Sequence, residues 1–300
     1  MPRIIQNTAS DACSLEECTA ALDEGGFDPA DEQSLLHAVK WLGRLGRNRN
    51  FLGDMLVDRL ADRHGPDPIE NAYGPQAIVL TGMRQGYFLR ANIWPAESDH
   101  CYRASGGRSF VYGAPHDHNF DFLTVGYFGP GYVSDYYQYD YEAVAGYDGE
   151  AAGLRFVERS ALHEGRLMHY RAHRDVHSQL PPESLSVSLN IMAASPVSGW
   201  FDQYRFDLDA GEVSGVLNPG SSEVFLRMAV ALGGDEALDL AGHLGRSHPS
   251  SRLRLASFEA RSMMEPDPAA RDDVWRQAEL SGDRMLQAEA KRRRAALEIA

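Results

Sequence analysis

The stretch YGAPHDHNFDFLTVGYFGPGYVSDYYQYDYE, residues 112–142, decides the reading of the chain. It is rich in aromatic and β-branched residues, alternates over short runs and is broken by glycine and proline, so it reads as strands joined by tight turns. Within it His116 and His118 stand one residue apart. In an extended chain residues i and i+2 project to one face, so the two imidazoles point together and Asp117 points away. Two imidazoles placed in this way can bind one cation at roughly 2.0–2.2 Å each. A third ligand should come from another strand.

Strand-like runs extend to both sides of this stretch, from QAIVLTGMRQGYFLRANIWP through GLRFVERSAL, GRLMHYRAHRDVHSQL and SLSVSLNIM to FDQYRFDL. Seven or more short strands within about 135 residues predict a sandwich or barrel rather than βαβ units. Before them, Asp31 to Arg63 repeats with helical period. Leu35, Leu36, Val39, Leu42 and Leu45 form one stripe, and Phe51, Leu52, Met55, Leu56 and Leu60 the next. Asp31 is an N-cap candidate, GRNRN breaks the pattern into a helical hairpin, and the turn-rich HGPDPIENAYGP, residues 64–75, ends it. After GVLNPGSS the helical period returns for five short helices. The fold class is α+β: an N-terminal helical segment over 1–74, a β domain over 75–215 and a helical segment over 216–300. Residues 221–280 resemble HEAT-type helical repeats, HPSSRLRLASFEA most of all.

Composition narrows the function. At 24% charged and 43% hydrophobic the chain is that of a folded protein. Its formal charge of −14 argues against nucleic acid or an anionic membrane as partner. The basic run AKRRRAALE reads as the solvated face of a last helix. Cys13, Cys18 and Cys101 are too few for a disulfide framework, and no signal peptide or membrane-length apolar run is seen, so a cytoplasmic location is expected.

The third-ligand candidate is His177, which follows a glycine-led strand and a tight turn in GRLMHYRAHRDVHSQL. Here the sequence resembles the cupin superfamily. Its first motif corresponds to GAPHDHNFDFLTVGYFG, with His116 and His118 as the paired histidines, and its second to GRLMHYRAHRDVHSQL, with His177. The resemblance implies a jelly-roll barrel, or double-stranded β-helix, over residues 75–215, and subunits that dimerise through sheet edges. Two departures stand out. The family's glutamate would fall at Phe122 or Leu123, and the proline and glycine of the second motif are replaced by Ala172 and Arg174. Loss of the glutamate resembles the three-histidine arrangement of the thiol dioxygenases. That resemblance implies a metal held by His116, His118 and His177, with iron(II) first, while such ligands also suit zinc, copper, nickel or manganese. Whether Asp121 or His173 joins the metal is left open by the residues. Asn119 and Asp121 are placed to orient a ligand histidine through its other ring nitrogen.

Seven tyrosines fall between Tyr127 and Tyr147. Tyr137 and Tyr139 share a strand face and are the candidates to offer phenolic hydroxyls to a substrate. Arg90, Arg103 and Arg171 occupy strand-like or strand-adjacent segments, and an inward-pointing one would bind a substrate carboxylate. Arg171 is taken with Tyr137 and Tyr139 as catalytic. Ser186, Ser188 and Asn190 present a polar face that lines either a wet cavity or the sheet exterior. These readings predict a mononuclear non-haem iron oxygenase acting with dioxygen on a small molecule or on an amino-acid or peptide side chain. The competing expectations are a non-catalytic cupin-like protein whose C-terminal helices dock a partner protein or peptide, and a metal-dependent isomerase or hydrolase.

Overall fold

In the computed structural model, which describes residues 2–8, 10–61 and 76–299, the chain begins with β1 (Arg3–Ile5), α1 (Leu15–Gly25), α2 (Glu32–Leu45), α3 (Phe51–Ala61), β2 (Ala77–Val79), β3 (Tyr87–Trp94) and α4 (His100–Ser105). The strands β4 (Phe122–Phe128), β5 (Val133–Gln138), β6 (Arg155–Ala161), β7 (Leu167–Tyr170), β8 (Asp175–Leu180) and β9 (Ser186–Ala193) follow. Next come the hairpin β10 (Tyr204–Asp207) and β11 (Glu212–Val216), then α5 (Ser221–Leu232), α6 (Asp235–Ser247), α7 (Ser251–Met264), α8 (Pro268–Glu279) and α9 (Arg284–Ile299). The turn reading of residues 64–75 lies outside the described residues. Among the described residues no helix is long and apolar enough to cross a membrane.

The chain divides into two compact units: Met1–Tyr141 with Gly153–Ser198, and Glu142–Ala152 with Gly199–Ala300. The first holds a six-stranded antiparallel sheet, ordered β1-β7-β4-β9-β3-β2, and a three-stranded one, β6-β5-β8. Strand parity gives the larger sheet two faces of different chemistry. Its outer face, with Tyr87, Leu89, Leu123, Val125, Leu189 and Ile191, shares one core with the N-terminal helices. The α2 helix supplies Leu35, Ala38, Val39, Leu42 and Leu45, the stripe that the helical period predicts, and Asp31 caps it by accepting from the Gln33 amide. Ahead of it, α1 begins at a capping box in which Ser14 and Glu17 satisfy each other's backbone amides.

The inner face of the larger sheet packs Trp94, Phe122, Met168, Tyr170 and Met192 against Tyr132, Tyr136 and Leu162 from the side of the smaller sheet. The expected closed barrel does not form. The connecting segment from Tyr112 to Asp121 makes single bridges, Tyr112 to Gln179 and His116 to His177, in place of a ladder. Its sequence explains this: Pro115 has no amide to donate, Gly113 takes φ 65°, and the chain bends at Asn119 and Phe120. The glycines of GYFGPGY are demanded by the packing. Gly129 and Gly131 take φ 80° and 82°, and a Cβ on Gly131 would run into the backbone of Leu162.

In the second unit β10 pairs β11, and Glu150 accepts from the amides of Ala145 and Gly146 and from Arg284 of α9. The five helices bury Leu226, Val230, Ala241 and Ala260 in one cluster and Phe258, Val274, Trp275 and Leu286 in another. The basic run of α9 is ion-paired: Arg292 meets Glu289, Arg293 meets Glu259, and Arg294 meets Asp272 and Glu279.

Candidate metal centre

His116 lies in the extended segment before β4, and its backbone exchanges two hydrogen bonds with His177 of β8, at 3.1 and 3.0 Å. This pairing sets the side chains of the two residues on a common face. His118, two residues on, returns to the same face, as the spacing predicts. The three side chains converge: His118 Nε2 is 3.1 Å and His116 Nε2 3.3 Å from His177 Nε2. All three residues are buried, at 5%, 7% and 2% exposure. Ligands about 2.1 Å from one cation stand roughly 3.0–3.4 Å apart at octahedral or tetrahedral angles, so this spacing suits a single metal ion.

The protonation states suit it as well. Ala114 O accepts from His116 Nδ1 at 2.7 Å, which puts the ring proton on Nδ1 and leaves the Nε2 lone pair free to bind. Burial lowers the pKa of His116, outweighing that hydrogen bond. It drives His118 and His177 well below the ordinary histidine range, with repulsion from the neighbouring imidazoles acting the same way. Neutral imidazole is the metal-binding form. The amide of Gln179 lies 3.2 Å from His177 Nε2.

A wall of rings surrounds the histidines. Phe120 and Phe122 lie 5.1 and 4.9 Å from His118, and Tyr170 lies 5.0 Å from His177. Tyr136 pairs directly with His177 across β5 and β8, and its hydroxyl meets that of Tyr170 at 3.0 Å. Tyr132 also reaches Tyr170. Burial raises the pKa of all three phenols, so they carry their protons at neutral pH.

The remaining residues singled out in the sequence fall elsewhere. Tyr137 lies on the opposite face of β5 from Tyr136, its ring 5.4 Å from Phe156. Tyr139 donates its hydroxyl to Asp117, the fully buried residue between the two histidines. Arg171 makes a two-pronged ion pair with Asp175 at 2.7 and 2.9 Å. Asp121, aimed to the outer face as parity predicts, bonds His169 at 2.8 Å, and Asn119 donates to Ser198 O, so the Ala114 carbonyl takes the orienting role expected of them. His173, at φ 58°, donates its amide to His118 O and sets its ring 4.1 Å from Tyr141. The one group of three or more side chains placed so that it could hold a metal ion among the described residues is His116, His118 and His177.

Sequence reasoning missed Tyr132, Tyr136, Tyr170 and Gln179. Tyr136 and Gln179 had a signal: with the β5–β8 register known, parity puts both on the His177 face.

No protein-family model and no curated protein matches the sequence. Among solved structures, a candidate mannose-6-phosphate isomerase from Ralstonia eutropha is similar at 13% identity, over 44% of this chain and 99% of its own, with a TM-score of 0.22. The DMSP lyase DddQ from Ruegeria pomeroyi matches at 12% identity over 65% of this chain and 79% of its own, with a TM-score of 0.23. A prolyl 4-hydroxylase from Phytophthora capsici matches at 12% identity over 95% and 84%, with a TM-score of 0.26. At these scores the likenesses carry no argument about activity, which rests on the geometry of the histidines.

Proposed function

We propose that the first unit is a cupin-type, mononuclear metal enzyme, with iron(II) bound by His116, His118 and His177, that oxidises a small molecule or an amino-acid or peptide side chain with dioxygen. The convergence of three neutral imidazole nitrogens carries this reading. An iron bound there supplies redox chemistry and coordination positions open to substrate and dioxygen. The chain's own residues do the rest. The Ala114 carbonyl holds the His116 proton on Nδ1, and Tyr139, through Asp117, braces the segment between the paired ligands. Phe120, Phe122 and Tyr170 exclude water on one side. The phenols of Tyr136 and Tyr170 serve as hydrogen-bond donors and not as bases, because both remain protonated.

The deciding experiment is elemental mass spectrometry on anaerobically purified protein beside the His177→Ala variant. About one iron per chain, lost in the variant, supports the centre. Absence of stoichiometric metal after reconstitution with iron, zinc, copper, nickel and manganese would end it. The same ligands serve an isomerase or hydrolase, and substrate-dependent oxygen uptake separates those reactions from oxygenation.

A further inference from the structure

Gln179 repeats on β8 what His118 does on the neighbouring segment. It stands two residues after His177, as His118 stands two after His116, and in an extended chain such residues share a face. The two segments are joined by the backbone hydrogen bonds between His116 and His177. The backbone of Gln179 is held from both sides: it pairs with Ser134 of β5, and its carbonyl accepts from the Gly113 amide at 2.9 Å. A side chain on so fixed a backbone is aimed before any ligand arrives.

The end of that side chain lies at ligand spacing from His177. Its carboxamide nitrogen is 3.2 Å from His177 Nε2, beside 3.1 Å for His118 Nε2 and 3.3 Å for His116 Nε2. Donor atoms that share one cation stand roughly 3.0–3.4 Å apart. Gln179 is 4% exposed, and its Oε1 has no hydrogen-bond partner among the described residues. A buried acceptor without a donor calls for a counterpart, and a cation beside imidazole lone pairs supplies one. The carboxamide nitrogen depends on the same event. Its acceptor is the Nε2 lone pair of His177, which a bound metal takes for itself.

We propose that Gln179 is a fourth protein ligand of the metal centre, binding through Oε1 beside the three histidines. This rests on the reading of His116, His118 and His177 as a metal site. A half-turn about the last bond of the side chain exchanges the two ends of the carboxamide and brings the oxygen to the His177 side. Ser134, the cross-strand neighbour of Gln179 on the same face, is fully buried and carries a hydroxyl able to accept from the amide nitrogen. A carboxamide oxygen is a neutral donor, so the four ligands together carry no charge, and a carboxylate in the same place would offset part of the charge of the ion.

The test is chelator competition and visible absorption on the full chain loaded with cobalt(II), whose absorption bands report the number and type of its ligands. Gln179→Leu should lower cobalt affinity at least about tenfold and change the position and intensity of the bands. Gln179→Glu should raise the affinity at least about tenfold and also shift the bands, because its carboxylate adds a charge to the ligand set. Circular dichroism checks folding of each variant. If Gln179→Leu does not fold, Gln179→Glu decides: raised affinity with shifted bands supports the proposal, and unchanged bands overturn it. Unchanged bands in a folded Gln179→Leu overturn the proposal and leave the three-histidine centre standing, and a fall in affinity with them would make Gln179 a positioning group for His177. An unaltered chain that takes up no cobalt(II), zinc or iron(II) overturns the metal centre itself, and the proposal with it.

Discussion

His116 donates its Nδ1 proton to the carbonyl of Ala114, two residues back along its own chain, at 2.7 Å. The tautomer of His116 is therefore set by the backbone on either side of Pro115, with no side chain involved. Loosening that backbone should loosen the proposed metal site without removing a ligand. Pro115→Gly is expected to lower metal affinity about tenfold, within the range for groups that orient ligands, whereas His116→Ala should abolish stoichiometric binding. Chelator competition at fixed pH measures both, and wild-type affinity in Pro115→Gly would mean that the Ala114 contact does not orient the ring.

Tyr139 acts from behind the histidines. Its hydroxyl donates to Asp117, which is fully buried and sits between His116 and His118 in sequence. Tyr139→Phe removes a donor from a buried carboxylate and should destabilise the fold by about 1–3 kcal/mol. Metal affinity should fall with it, while Tyr137→Phe, on the other side of β5, should alter neither. Urea unfolding beside metal titration checks this. An unchanged unfolding midpoint in Tyr139→Phe would show that the bond contributes nothing.

The convergence of the three histidines was legible because it follows from two local rules, side-chain parity and the placement of His177 after a tight turn. Other parts were illegible for physical reasons. The choice of Tyr136 over Tyr137 as the ring facing His177 depends on the β5–β8 register, which pairs residues 41 positions apart and is set by packing. Closure into a barrel was expected from strand number, but residues 112–121 make only isolated bridges, at Tyr112 and His116, with Pro115, which has no amide to donate, between them and a bend at Asn119 after them. The α1 helix had a readable signal in Ser14 and Glu17 that composition alone passes over. The inward direction of Arg90 follows from its pairing with Asn190, a contact across a hundred residues.

Gly131 is a position where a single methyl group should be intolerable. Its φ of 82° disfavours any side chain, and an added Cβ would meet the backbone of Leu162, which has no flexible end to move aside. Gly131→Ala should destabilise by about 3 kcal/mol or more, while Gly153→Ala, also at positive φ but with open space around it, should lose only about 1 kcal/mol. Comparable melting temperatures for the two variants would contradict the close approach.

Alkaline pH should unfold the first unit more steeply than its surface alone would. Burial holds the phenols of Tyr132, Tyr136 and Tyr170 above their ordinary value, whereas in the unfolded chain they ionise near about pH 10. Above that pH the unfolded state binds fewer protons than the folded one, so stability falls as pH rises, by about 1.4 kcal/mol per pH unit for each such group. Below about pH 10 they contribute no pH dependence. Phenolate absorbance followed together with circular dichroism should show these tyrosines ionising only as the protein unfolds. Their titration ahead of unfolding would show that water reaches them.

Arg171 offers the clearest separation between a substrate-binding and a bracing role. Both prongs of its guanidinium are engaged by Asp175, which is 1% exposed and begins β8 two residues before His177. Burial alone would raise the Asp175 carboxyl, and the Arg171 hydrogen bonds outweigh it and hold the pKa below the usual carboxylate value. Arg171→Ala leaves that charge buried beside the turn that carries the third histidine, and should destabilise the protein by about 3–5 kcal/mol. Urea unfolding measures the loss. Full stability in Arg171→Ala would show that the ion pair does not brace the turn and would return Arg171 to a substrate-binding role.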